Sequence, residues 1–197
     1  RRIDWPLDLG LRRQPLNVFA LEESRAYLRQ HLPETRVLSK DLDTLAERLW
    51  HLPLALNLAG RYLARRPQLT VHKYMQALAS VFEHPSMRGW REELGDATEH
   101  DLDLARTFAL SWEQVTDTAA QRLFLAAGYC APNTPIPYAL LEGLLGETAD
   151  VEACDAALNI LIGLGLLTLK QPEIGPVIHP LLAEYAPALL GLYYSTA

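Results

Sequence analysis

The stretch HLPLALNLAGRY, residues 51–62, constrains the fold of this chain more than any other. Pro53 cannot donate a backbone hydrogen bond, and its fixed φ suits the first turn of a helix, where that N–H would have no intrahelical partner. Behind it, Leu54, Ala55, Leu56, Leu58 and Ala59 make the helix apolar nearly all round. Such a helix must be enclosed by neighbours, so the chain needs a multi-helix core with Pro53 at a defined point on a central element. A helix start held that firmly can act as a wall for a flat ligand.

The flanking sequence supplies the neighbours. Residues 1–20 contain Pro6, Gly10 and Pro15 without helical period and read as an extended lead-in with a short strand near Leu16 to Phe19. LEESRAYLRQHL then aligns Leu21, Ala26 with Tyr27 or Leu28, and Leu32 on one face until Pro33 ends it. Ser39 is the expected N-cap of KDLDTLAERLWHL, Thr70 of VHKYMQALAS, and a shorter helix is expected in PSMRGWREEL. These elements predict a four- to five-helix bundle over 21–97. The polar run GDATEHDLD, residues 95–103, reads as the boundary, with 98–103 the linker proper.

From residue 104 to 190 the order is LARTFALSWEQV, DTAAQRLFLAAGYC, a helix opened by Pro137, and VEACDAALNILIGLG capped by Asp150. A hairpin from Leu166 to Lys170 through QPEIG to Val177 and Ile178 follows, then the helix PLLAEYAPALL and a tail at 191–197. Three helices, a two-stranded wing and a closing helix are the parts of a winged helix. The fold class expected is therefore mainly α, a helical bundle followed by a winged-helix domain with a short β-hairpin.

Charge divides the same way. Residues 1–103 hold 15 Lys/Arg against 15 Asp/Glu, whereas 104–197 hold 3 against 9, which accounts for the net charge of −6. The helix at the recognition position, VEACDAALNILIGLG, has Glu152 and Asp155 and no cation, so a DNA-binding regulator is disfavoured on electrostatic grounds. No apolar run is long enough to span a membrane, and RRIDWPLDLG has no secretory core, so a cytoplasmic location is expected. Cys130 and Cys154 have no CxxC spacing and read as buried apolar side chains. The tryptophans 5, 50, 90 and 112 read as core or interface anchors, and most of the six histidines as surface residues.

Enzyme signatures are missing. There is no GxxxxGK[ST], and none of Lys40, Lys73 and Lys170 follows a glycine; GxGxxG, GxSxG and HExxH are also absent. His179 stands apart from the other histidines because it joins the wing to Pro180, which opens the last helix. There it can donate to an anion near a helix N-terminus, although capping is the simpler use for it. Arg61, Arg65 and Arg66 read as a solvated cluster complementing the helix dipole.

Two motifs in order carry a resemblance. HLPLALNLAGRYL is similar to the GLPLAL motif, and VIHPLLAEYA to the MHD motif, of NB-ARC proteins in the STAND class of signalling ATPases, which includes bacterial NOD-like and AP-ATPase types. LARTFALSWEQVTDTAAQRLFLAAGYC resembles the start of the winged-helix domain in bacterial members, many of which carry TPR or WD40 sensor repeats. The resemblance covers about residues 15–190 and implies the small helical (ARC) domain followed by the winged-helix domain. It further implies a preceding P-loop domain that holds Mg²⁺ and ends in a sensor arginine, with residues 1–20 its lead-in and Arg1 or Arg2 the remnant of that arginine.

In this family the motif's proline packs on the adenine side of the nucleotide and the MHD histidine contacts the β-phosphate of ADP. Pro53 and His179 take those roles by resemblance, with Arg1 a weaker nucleotide-facing candidate. The implied function is to help bind ADP or ATP and to relay nucleotide state by opening or closing a switch. The isolated chain is then not an enzyme and binds no cofactor alone, while the full-length protein is a slow ATPase. Its implied partners are the P-loop domain, downstream sensor repeats and further copies on activation. His51 replaces the motif's usual glycine, and Ile178-His179-Pro180 replaces Met-His-Asp. The alternatives are a winged-helix DNA-binding regulator and a helical interaction scaffold.

Overall fold

The computed structural model describes residues 18–80, 99–145 and 151–194. Among these the chain is mainly helical with one two-stranded antiparallel hairpin. The elements are α1 (Leu21–Arg29), α2 (Ser39–Arg48), α3 (Pro53–Ala64), α4 (Val71–Ser80), α5 (Glu99–Trp112), α6 (Thr118–Ala127), α7 (Tyr138–Leu145), α8 (Val151–Gly163), β1 (Thr168–Gln171), β2 (Gly175–Val177) and α9 (Pro180–Tyr194). The expected helix in PSMRGWREEL, the Asp150 cap, Trp5, Trp90 and Arg1 lie outside the described residues.

α3 is enclosed as its composition requires. Ala55, Leu56, Leu58, Ala59, Gly60, Tyr62 and Leu63 are all buried, and the helix packs on α1 and on α5. α1 buries Ser24 and Leu28, while Ala26 faces solvent. Ser39 is not the cap of α2 but its first residue: Leu38 occupies the cap position. Arg29 fastens this start, donating to the Ser39 hydroxyl at 3.0 Å and to the Val37 carbonyl at 2.7 Å. Thr70 does cap α4, its Oγ1 accepting the Lys73 N–H at 3.2 Å. Val18 and Phe19 form no strand; the Phe19 N–H donates instead to the His51 carbonyl at 3.1 Å.

The segment expected as a linker is, from Glu99 onward, the first turns of α5. One side of this helix packs on α3 and α4. From it Phe108 also meets Phe124 of α6 at 5.7 Å and Tyr185 of α9 at 5.2 Å, and Trp112 lies 5.2 Å from Phe124. Offset and tilted rings at such separations add about 0.5–1.5 kcal/mol per pair beyond the area they bury. One apolar cluster therefore runs from Leu28 to Leu189 through α5.

The second half has the winged-helix arrangement of α6, α7 and α8 followed by the hairpin and α9. The wing pairs Thr168 with Val177 and Gln171 with Gly175, with an irregular register between them. A third extended segment lies along β2: Asn133 donates to the Ile178 carbonyl at 2.9 Å and Ile136 to the Pro176 carbonyl at 2.8 Å. Gly175 permits this approach, with φ at 148° and a position where a Cβ would stand 1.8 Å from the Ile136 oxygen. Cys154 is buried as expected, whereas Cys130 is half-buried. Among the described residues no helix is long and apolar enough to cross a membrane.

Gly175→Ala is expected to detach the wing from residues 133–136 and to lower stability by about 2 kcal/mol or more, since both backbone conformation and space are violated. Urea unfolding followed by circular dichroism measures this; a midpoint equal to that of the parent would show the close approach to be dispensable.

Candidate functional site

The turn before Pro53 has an unusual backbone. Leu49 ends α2, and the next two residues, Trp50 and His51, are both left-handed, with φ of 55° and 54°. The Trp50 N–H donates to the Glu47 carbonyl and the His51 N–H to the Ala46 carbonyl, each at 3.0 Å. This is the Schellman pairing that stops a helix, usually built on glycine. Here a tryptophan and a histidine occupy positions that cost an L-residue about 1–2 kcal/mol each. Leu52 then returns to extended backbone and Pro53 takes the first position of α3, exposed.

Side chains hold the strained turn in place. His51 Nδ1 and the Ser24 hydroxyl of α1 are 2.9 Å apart. Trp50, 42% exposed, donates from Nε1 to Asp103 Oδ2 at 3.0 Å. Asp103 is 2% exposed and also accepts from Arg48 and, at 2.7 Å, from Arg106. A carboxylate with this little exposure needs charged and hydrogen-bonding partners to remain in the interior, here the guanidiniums of Arg48 in α2 and Arg106 in α5 and the neutral indole N–H of Trp50 in the turn.

His179 stands at the start of α9. Its Nδ1 accepts the Leu181 N–H at 3.2 Å, so the imidazole caps the helix while its outer edge stays exposed. Partial shielding of the ring, and secondarily the charge of Lys170, lower its pKa below the ordinary 6.5. The neutral ring with Nδ1 accepting carries its proton on Nε2, which leaves one outward donor. Pro180 occupies the first helical position. Among the described residues no hydrogen bond, ion pair or ring contact joins His179 to Pro53.

Other polar groups are engaged more deeply than the sequence suggests, among them Arg61, which was expected in a solvated cluster. His31 is half-buried edge-on to Tyr27 at 5.9 Å, and burial, then Arg61, lower its pKa. Arg61 donates to Asn57 at 3.0 Å and across to the Ile162 carbonyl of α8 at 2.9 Å. Gly165, left-handed at φ 78°, lets Asn57 and Arg61 approach; a Cβ there would lie 2.8 Å from the Asn57 amide nitrogen. The only sequence signal for this junction was the paired glycines of IGLG. No group of three or more His, Cys, Asp or Glu that could hold a metal occurs among the described residues.

Compared with known proteins, the chain matches no family model and no curated protein sequence.

Two outcomes are expected. His51→Gly removes the left-handed cost and the Ser24 contact together, leaving stability within about 1 kcal/mol of the parent. His51→Val, β-branched at the same φ, loses about 2 kcal/mol or more; equal effects in denaturant unfolding would show that the turn is unstrained. Because His31 and His179 are held below 6.5 in the folded state, the unfolded chain takes up protons first as pH falls. Their contribution is present above 6.5 and lost below it, so melting temperature declines from about pH 7.5 to about pH 5. Replacing both with Gln should flatten that decline, and an unaltered slope would assign it to other groups.

Proposed function

We propose that this chain is the helical and winged-helix part of a STAND-class nucleotide switch. In this reading ADP or ATP contacts Pro53 at the start of α3 and His179 at the start of α9. The chain has no GxxxxGK[ST], so a P-loop domain supplies the phosphate grip and Mg²⁺, and the ATPase activity belongs to the assembled protein. Cytoplasmic signalling, sensor repeats and self-assembly on activation follow from the same resemblance.

The observation that carries the reading is the backbone at His51. This residue stands where the GLPLAL motif has glycine, and its φ is 54°, a conformation in which glycine is the default residue. A backbone that suits glycine at the position of the motif's glycine supports the reading, with Ser24, Phe19 and Asp103 bracing the turn. A packing-only account of the α3 helix needs no such turn. The DNA-binding alternative has less support, since α8 offers Glu152 and Asp155 and no cation.

Mechanistically, the Nε2–H of neutral His179 is suited to a phosphate oxygen of ADP, with α9's free amides adding favourable potential. A switch is biased only by unequal binding to its two states. One charged hydrogen bond present in the closed state alone, worth about 1.5–3 kcal/mol, shifts the populations by about ten- to a hundredfold.

In the protein together with its P-loop domain, His179→Ala should lower ADP affinity by about tenfold or more, measured as retained nucleotide after desalting and by direct titration. Unchanged ADP affinity would remove His179 from the site.

A further inference from the structure

The C-terminal end of α3 carries more positive charge than its helix uses. Capping falls to Arg36, whose guanidinium donates to the Leu63 and Arg66 carbonyls at 2.6 and 2.7 Å. Arg61 is committed to Ile162 across the junction. Arg65 and Arg66 are therefore not needed as dipole-complementing caps, the role that spacing alone suggests.

Both line open space instead. With Gln68, Leu69 and Lys73 they border a cleft of about 350 Å³, and with Tyr62, Gln114 and Leu164 an adjoining recess of about 140 Å³. Neither lining contains a carboxylate. Arg66 lies 5.0 Å above the Tyr62 ring and donates to the neutral amide of Gln114, which orients its fork. The Arg65 guanidinium lies against the bare backbone of Gly163, where a Cβ would be 2.3 Å away. Lys73 sits in the first turn of α4, so the positive end of that helix adds to the field. Glu113 is near enough to Tyr62 to influence its hydroxyl but lines neither space.

We propose that this cleft binds a diphosphate group. Two guanidinium forks suit the paired oxygens of successive phosphates, and a lysine adds a point charge. The volume is at the low end for small-ligand sites, which favours a compact anion. The acidic second half of the chain disfavours an extended polyanion. The cleft is distinct from the Pro53 turn, from which α3 separates it by about 18 Å of helical rise.

Calorimetric titration of the chain with sodium pyrophosphate, which has no base for Pro53 to contact, tests the site. One saturable event is expected, weakened about tenfold or more in the double variant Arg65→Ala with Arg66→Ala. Lys73→Ala should weaken it several-fold, while Arg122→Ala, at a cation remote from the cleft, leaves it unchanged. Circular dichroism checks the fold of each variant, and Lys73→Ala maintains the test if the double variant is disturbed. Competition by ADP separates a nucleotide source of the diphosphate from an inorganic one. Absence of saturable heat, or binding indifferent to both the double variant and Lys73→Ala, would overturn the proposal.

Discussion

Asp103 is the residue on which the arrangement of the two halves most depends. Its carboxylate, 2% exposed, gathers Arg48, Trp50 and Arg106. A charge so enclosed is stable only when its partners stay in place, and loss of one member leaves the others desolvated. The turn that places Pro53 is thus held from α5, by a residue far from it in sequence. It shares that task with Ser24 and Phe19, which hold His51, the second of the two consecutive left-handed residues.

α5 also explains how the halves become one body. The helix buries Asp103 and Thr107 toward the bundle and presents Phe108 and Trp112 to the rings of Phe124 and Tyr185. Tyr185 lies on α9, the helix that His179 caps. Polar anchoring at one end and aromatic packing at the other give α5 two dissimilar contacts. In the proposed switch, displacement of α9 would reach the Pro53 turn through this helix, and packed cores tend to hold discrete arrangements rather than deform smoothly.

Arginine does several different jobs within a short span. Arg36 closes the end of α3, Arg61 bridges to α8, and Arg66 covers Tyr62. Cations of similar sequence context thus divide into those spent on carbonyls and those left facing a cleft. The division follows from which carbonyls lie within reach, and that depends on how α3, α4 and α8 meet.

Helix order, the proline start of α3, the wing and the burial of Leu56 and Leu58 were legible because they follow from local propensity and apolar period. Pro53 and His179 were legible as helix starts for the same reason, proline and a polar cap being local signals. The boundary at 98–103 was read as linker because its polar residues look solvated, while Asp103 is buried and paired with Arg48 of α2 and Arg106 of its own helix. Ser39 is the first residue of α2 rather than its cap, and His31 is half-buried against Gly60, where a Cβ would stand 2.9 Å from the imidazole. The amino-acid sequence by itself determined the elements and their termini, since those depend on neighbours within a few residues. Only the tertiary structure decided which charges are buried, paired or left facing open space, because a charge's state is set by groups that the chain brings together from a distance.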